Sequence, residues 1–250
     1  MKIPASVYML TCNSELYLDK VLNSIRDFAE IIIVDSGSMD NTLDLCKKYE
    51  CIIRSKDWMG YSKQKEYAKS LCSYNWVLDL DSDEEVDNNL LEDIRYLMEK
   101  EKHIYDGLRI HIHDIFFNRA KPGLVKTNSR VKFYRADCGS YEIDRLVHES
   151  VKLRGKSRVA KGYIIHHGIN SISARVDRSN LYSGLRAEEK YNKNIKPSLI
   201  KLILIFPIAF IKSYFIKRSI FAGRSGFIGS IITAFYAFLK EAKLHELKIK

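Results

Sequence analysis

No two cysteines in this chain have CxxC spacing, and no uninterrupted apolar run reaches the roughly 20 residues needed to cross a bilayer. The five cysteines (Cys12, Cys46, Cys51, Cys72, Cys138) are scattered and odd in number. That pattern argues against a disulfide framework or a zinc site and points to reduced thiols in the cytoplasm. A signal-peptide core is also missing: Met1-Lys2-Ile3-Pro4 leads straight into a strand-like run, which predicts a protein that is not exported. Internal repeats and low-complexity segments are absent. Net charge is nearly absent from the first 190 residues, where 30 basic groups face 29 acidic ones. A uniformly basic surface of the kind that binds nucleic acid is therefore not expected, and no nucleic-acid partner is predicted.

What the chain does have is 250 residues, enough for one sizeable core with an appendage. Its first hundred residues alternate strand and helix patterns. Ser6 to Leu10 reads as a buried strand, and a helix from Ser14 to Arg26 carries Leu18, Val21, Leu22 and Ile25 at helical spacing. Ile31-Ile32-Ile33-Val34 is the continuous β-branched run of a strand covered on both faces. Helices over Thr42 to Tyr49 and Tyr61 to Leu71 flank a short strand, Cys51 to Ile53, and a further strand ends at Asp79. This alternation predicts an α/β fold with a mostly parallel, Rossmann-like sheet whose ligands bind at the carboxyl ends of its strands. Between Gly107 and Ile165 the pattern is less regular. Strand-like pieces (Leu108 to Ile112, Val131 to Tyr134, Tyr163 to Ile165) alternate with polar loops before a polar helix from Ser171 to Asn194.

The chemistry concentrates at those strand ends. Trp76-Val77-Leu78-Asp79-Leu80-Asp81-Ser82-Asp83-Glu84 drives an apolar strand into an acidic cluster, with a helix expected near Leu90. Alternate residues of a strand share a face, so Asp79, Asp81 and Asp83 can converge. A hard divalent ion, Mg²⁺ or Mn²⁺, takes one or two such oxygens and completes its shell with substrate phosphates. A solvated acidic turn is the plainer alternative. Val34 to Thr42 follows a buried strand and opens a helix, with Asp40 or Asn41 as its N-cap. Asp35 lies too far upstream to cap and is suited to accept hydrogen bonds from a ribose or a base. The competing reading is that it bonds its own turn.

Taken together, Thr11 to Glu15, Val34 to Asp40, Gly60 to Lys65 and Asp81 to Glu84 resemble the family 2 glycosyltransferases of GT-A fold. More narrowly, the chain resembles the bacterial lipopolysaccharide-core β-1,4-glucosyltransferases. Val147-His148-Glu149, Ile164-Ile165-His166 and the basic, apolar C-terminal segment support that likeness. The resemblance implies an inverting transfer from a nucleotide sugar, a UDP-hexose, with a divalent ion at the Asp-x-Asp motif. It implies that Asp35 contacts the uridine and that Thr11, Asn13 and Glu15 line the nucleotide. Gln64 and Lys65 would reach the nucleotide or diphosphate, and Asp81 would hold the ribose or a metal-bound water. Asp83 would bind the metal, with His166 as a further metal or phosphate ligand. Lys65 stands where such families place Arg and loses bidentate geometry; Asp79 is an extra acid of unassigned role.

Inversion needs a base for the acceptor hydroxyl, and a carboxylate serves. Glu149 is the candidate, with Asp144 and Glu142 as competitors and His148 beside it. Arg130 and Arg135 are candidates for an anionic ligand or for a solvated strand edge. Residues 1–190 would form the catalytic domain, with a nucleotide-binding half over about 1–100 and an acceptor half over about 101–190. Residues 191–250 would form the membrane-interface tail, with 11 Lys or Arg against 2 acids. Its apolar runs, Leu202 to Ile211 and Phe227 to Leu239, are short for crossing and fit helices lying on anionic lipid. The expectation is a peripheral enzyme on the inner face of the cytoplasmic membrane, acting on a lipid-linked or lipopolysaccharide-core saccharide. The rivals are a polyprenyl-phosphate sugar transferase and a non-catalytic scaffold with a degenerate GT-A fold.

Overall fold

The computed structural model describes residues 2–116, 119–120, 125, 127–141, 151–168 and 171–249. Strand and helix alternate as β1 (Ile3–Thr11), α1 (Glu15–Ser24), β2 (Phe28–Asp35), α2 (Thr42–Lys48), β3 (Ile52–Ser55), α3 (Tyr61–Ser70) and β4 (Trp76–Asp79). Then follow β5 (Glu84–Val86), α4 (Asn88–Tyr96), β6 (Gly107–Phe116), β7 (Arg119–Ala120), β8 (Asn128–Arg135), β9 (Gly139–Ser140), β10 (Lys152–Leu153) and β11 (Ser157–His166). Three helices close the chain: α5 (Ile172–Asn192), α6 (Leu199–Ile211) and α7 (Gly223–Ile249). The chain divides into two compact units, one of Met1–Asp114 with Asn128–Gly168, the other of Ile115–Thr127 with Ile169–Lys250.

The first unit is built on a mixed, mostly parallel sheet in the order β3-β2-β1-β4-β8-β6-β11-β5. β3, β2, β1 and β4 run parallel, as do β6 and β11, while β8 is antiparallel to both its neighbours. The β-branched run Ile31 to Val34 is buried throughout, as a strand covered on both faces requires. α1 turns Leu18, Val21 and Leu22 onto the sheet, each fully buried. Truncating a side chain such as Leu22 to Ala would cost about 2–5 kcal/mol in transfer and cavity terms. Parallel register sets Thr11 beside Asp35 and Tyr8 beside Asp79, so the ends of β1, β2 and β4 open on one edge.

The three-residue strand β5 was not expected from sequence. It pairs antiparallel with β11, aligning His166 with Glu84 and Ile164 with Val86. Two local features hold it. Asp87 caps α4 by accepting from the Leu90 N–H at 2.9 Å, and the same oxygen accepts from the Tyr163 N–H at 2.9 Å. Gly162 lets α4 approach β11 closely, because a Cβ there would lie 2.1 Å from the Leu90 nitrogen.

In the second unit α7 packs against both α5 and α6. Ser171 caps α5 through the Ala174 N–H at 3.1 Å, where the sequence predicted the helix start. The apolar runs read from sequence prove to be parts of longer helices. α6 continues through a wider turn over Lys212–Ile216, giving 18 helical residues, about 27 Å at 1.5 Å per residue. The thirteen-residue run lies inside the 27 residues of α7. Charged residues interrupt the hydropathy of these helices without interrupting their backbone bonding, so run length underestimated them.

Candidate functional site

The edge of the first unit carries two clusters. The first knits the turn after β1 to the turn after β2. Asp35 is buried, and its carboxylate accepts from the Thr11 hydroxyl at 2.8 Å, the Gly37 and Ser38 N–H groups at 2.9 Å each, and the Ser38 hydroxyl. Burial pushes its pKa up, but these four donors outweigh burial and hold the carboxyl below its usual range. Asn13 adopts a left-handed φ of 50°, tolerated by its short polar side chain. Its N–H donates to the Ser38 hydroxyl at 2.9 Å, and its Oδ1 accepts from the Met39 N–H at 2.8 Å. Glu15 accepts from the backbone and side-chain nitrogens of Asn41 at 3.0 and 2.9 Å. Gln64, fully buried on α3, donates to the Ser36 hydroxyl and the Lys56 carbonyl and accepts from the Met59 N–H. Thr11, Asn13, Glu15, Asp35 and Gln64 thus form one continuous patch whose mutual bonds set the shape of the turns. Asp40, not Asn41, accepts from the Thr42 N–H at the start of α2.

The second cluster is the acidic run itself. Lys65 is buried and donates to Asp79 and Asp81 at 2.7 Å each. Asp79, whose role was open, also accepts from the Tyr141 hydroxyl at 2.7 Å, and the Tyr8 hydroxyl bonds to those of Tyr134 and Tyr141. Lys132 on β8 is buried too, 2.6 Å from Glu84 and 3.5 Å from Asp81. Burial would lower the pKa of Lys132, but the charges of Asp79, Asp81 and Glu84 raise it, so it stays protonated. Burial would raise that of Asp81, and Lys132 and Lys65 drive it far down instead. The converging carboxylates are tolerated because two buried ammonium groups stand among them. Ser82 joins the two clusters, its hydroxyl 3.0 Å from that of Ser14.

Beyond Asp81 the β5–β11 pairing brings His166 to the acids. Its Nε2 lies 3.3 Å from Asp83 Oδ2, and its Nδ1 lies 2.8 Å from Asp114 Oδ1. The Asp83 carbonyl accepts from the His167 N–H at 2.9 Å, fixing the loop against the end of β11. Burial would lower the His166 pKa, but the bonds to Asp114 and Asp83 and the acidic field raise it to about 10. Among the described residues no group of three or more His, Cys, Asp or Glu can hold a metal ion by itself. A divalent ion at this corner would take Asp83 as its carboxylate donor and, once His166 gives up its proton to the incoming cation, the imidazole Nε2 oriented by Asp114, with the remaining positions left to phosphate and water. Asp81 is not such a donor while Lys65 and Lys132 engage it.

Glu149, with Glu142, Asp144 and His148, lies outside the described residues. Arg135 sits at the far end of the sheet from the acids, opposite Trp76, and pairs with Asp137 at 2.7 Å. Three residues of the site escaped sequence reading: Lys132, Glu84 as its partner, and Asp114. A lysine inside the buried run Val131 to Tyr134 was the available signal, since lysine is almost never buried without a counter-charge.

Residues 6–157 match glycosyl transferase family 2. The chain belongs to that family. It is 31% identical to the lipopolysaccharide core biosynthesis glycosyltransferase LpsC of Rhizobium meliloti, over 98% of this chain and 93% of the relative. It is 30% identical to an uncharacterized glycosyltransferase of Rickettsia prowazekii, over 98% of this chain and 88% of the other. Among solved structures, TarS 1–349 of S. aureus in complex with UDP superposes with a TM-score of 0.50 at 19% identity, covering 94% of this chain and 90% of that one. That likeness bears on the fold: the mostly parallel sheet expected from the strand–helix alternation, in the GT-A architecture that the family resemblance implied.

Proposed function

We propose that residues 1–190 catalyse inverting transfer of a hexose, glucose in the preferred form, from a UDP-sugar to a hydroxyl of a lipopolysaccharide-core or other lipid-linked saccharide. The support that carries this reading is the corner where His166 Nε2 meets Asp83 at 3.3 Å with Asp114 behind the ring. Asp83 and His166 would hold a Mg²⁺ or Mn²⁺ ion together with the donor diphosphate. A divalent ion bound there supplies charge neutralisation for the departing diphosphate. Asp81, kept ionised by its lysines, would accept from the ribose or a bound water. Lys65 would extend positive potential toward the phosphates. The turns around Asp35 would form the floor under the uridine, with Thr11, Asn13, Glu15 and Gln64 keeping that floor in shape.

Glu149 is the proposed base. It takes the proton from the acceptor hydroxyl as that oxygen bonds to the anomeric carbon and the bond from this carbon to the diphosphate oxygen breaks. The acceptor class follows the lipopolysaccharide-core relative, and the UDP-bound fold neighbour agrees with a uridine donor. Residues 191–250 would keep the enzyme on the cytoplasmic face of the inner membrane by binding anionic lipid. The test is turnover of UDP-glucose with Mn²⁺ by the purified chain. Asp83→Ala should lower it by about a thousandfold or more, the several kcal/mol of a lost metal contribution, with the native circular dichroism spectrum retained. Undiminished turnover would reject the assignment.

A further inference from the structure

Along α5, α6 and α7 the cations outnumber the acids that could neutralise them. Glu241 of α7 is buried, and one of its oxygens is shared by Lys190 of α5 and, at 3.5 Å, Lys201 of α6. Glu189 is occupied by Arg186 and by Lys193 at 2.7 Å. Lys240, next to Glu241, is half-buried and among the described residues pairs with no carboxylate; its ammonium lies 5.8 Å from the Tyr236 ring centre. Burial, then the charge of Lys190, lower its pKa, and with Lys201 and Arg186 they outweigh the opposing charge of Glu241. Glu241, the acid beside it, is already held by two other lysines, so this corner carries three ammonium groups around one carboxylate.

α6 indicates what kind of anion. None of its residues is buried, and Leu199, Ile203 and Ile208 are 65%, 64% and 54% exposed. Its first turn contains Lys201 and no acid, so the N–H groups there add positive potential to the lysines. Ser198 caps only the Lys201 N–H. A bare apolar helix with a cationic cluster at one end suits a partner with an anionic head and an apolar body, arranged as a surface. Three ammonium groups match the three oxygens of a terminal phosphate better than they match a single carboxylate.

We propose that Lys190, Lys201 and Lys240 form a binding site for the terminal phosphate of an anionic membrane lipid, seated at the N-terminal end of α6 while the apolar side chains of that helix enter the acyl layer. The site rests on the reading of residues 191–250 as membrane-bound and narrows it to one end of one helix.

The experiment is vesicle co-sedimentation of the full chain on phosphatidylcholine containing phosphatidic acid or phosphatidylserine, at matched surface charge. The wild type should prefer phosphatidic acid by roughly tenfold, the value of one added charge-assisted hydrogen bond. The double variant Lys201→Gln/Lys240→Gln should lose that preference, and its melting temperature should be unchanged or higher because like-charge crowding is relieved. Lys212→Gln/Lys217→Gln, which removes equal charge at the other end of α6, should weaken binding to both lipids and keep the preference. A wild type without preference, or a preference that survives Lys201→Gln/Lys240→Gln, overturns the site while leaving the membrane reading intact. Soluble glycerol phosphate competing as well as vesicles would make the ligand a free phosphate and also overturn it. A wild type that sediments with no anionic vesicle defeats the membrane reading itself.

Discussion

Two carboxylates on the same sheet edge, Asp35 and Asp83, have opposite environments. Asp35 is buried and receives four hydrogen bonds, which fill its acceptor sites. Asp83 is half-exposed, and among the described residues its side chain meets only the His166 imidazole. A saturated carboxylate is committed to shaping its own turn; an open one has lone pairs left for a ligand. Sequence alone assigned both to ligand contact. The structure separates them into a residue that shapes its own turn and a residue with coordination capacity to spare.

That comparison can be sharpened by removing the groups that keep each carboxylate in its state. The largest effect is expected at Lys132, which shields the loop carrying Asp81 and Asp83. Lys132→Met leaves Glu84 buried without its counter-charge and should cost about 3–5 kcal/mol of stability, measured by urea unfolding. A change below 1 kcal/mol would mean that the pair is not buried as described. At the open corner, Asp114→Asn should weaken Mn²⁺ binding in the presence of UDP by about 10–100-fold, while Tm shifts little. Asp35→Asn should have the smallest effect, about 1–2 kcal/mol of stability, because the turn loses charge-assisted acceptors and keeps its shape.

The Asp35 variant also has a pH signature. Its folded pKa lies below the unfolded value of about 3.9. The stabilisation it contributes is therefore complete above that value and is lost as pH falls through the folded pKa. Acid unfolding curves of wild type and Asp35→Asn should differ most above about pH 4 and converge as pH falls through the folded pKa of Asp35. Parallel curves across that range would show that Asp35 gains nothing from its four donors.

The parts of the molecule legible in the sequence are those with local periodicity. The β-branched run Ile31 to Val34 and the helical spacing of Leu18, Val21 and Leu22 announce a parallel sheet. From parallel strands it follows that Thr11, Asp35 and Asp79 share an edge. The parts that were not legible depend on distant pairings. β5 is three residues long and has no period of its own; it exists because β11 lies beside it, some eighty positions later in the chain. The same pairing explains why His166, expected as a further metal or phosphate ligand, reaches Asp83. Asp79 could not be assigned because its partners, Lys65 and Tyr141, come from α3 and the end of the β9 segment. Run length likewise misjudged α6, whose helix continues past the lysine at its end.

The most direct test of the account is calorimetric titration of UDP into the wild type and Asp83→Ala, with and without Mn²⁺. The wild type should bind UDP at least about tenfold more tightly when Mn²⁺ is present, an ion held jointly by Asp83, His166 and the diphosphate. Asp83→Ala should bind UDP with one affinity whether or not the metal is added. Equal metal dependence in the two proteins would contradict the claim that the open carboxylate is where the donor phosphates are gripped.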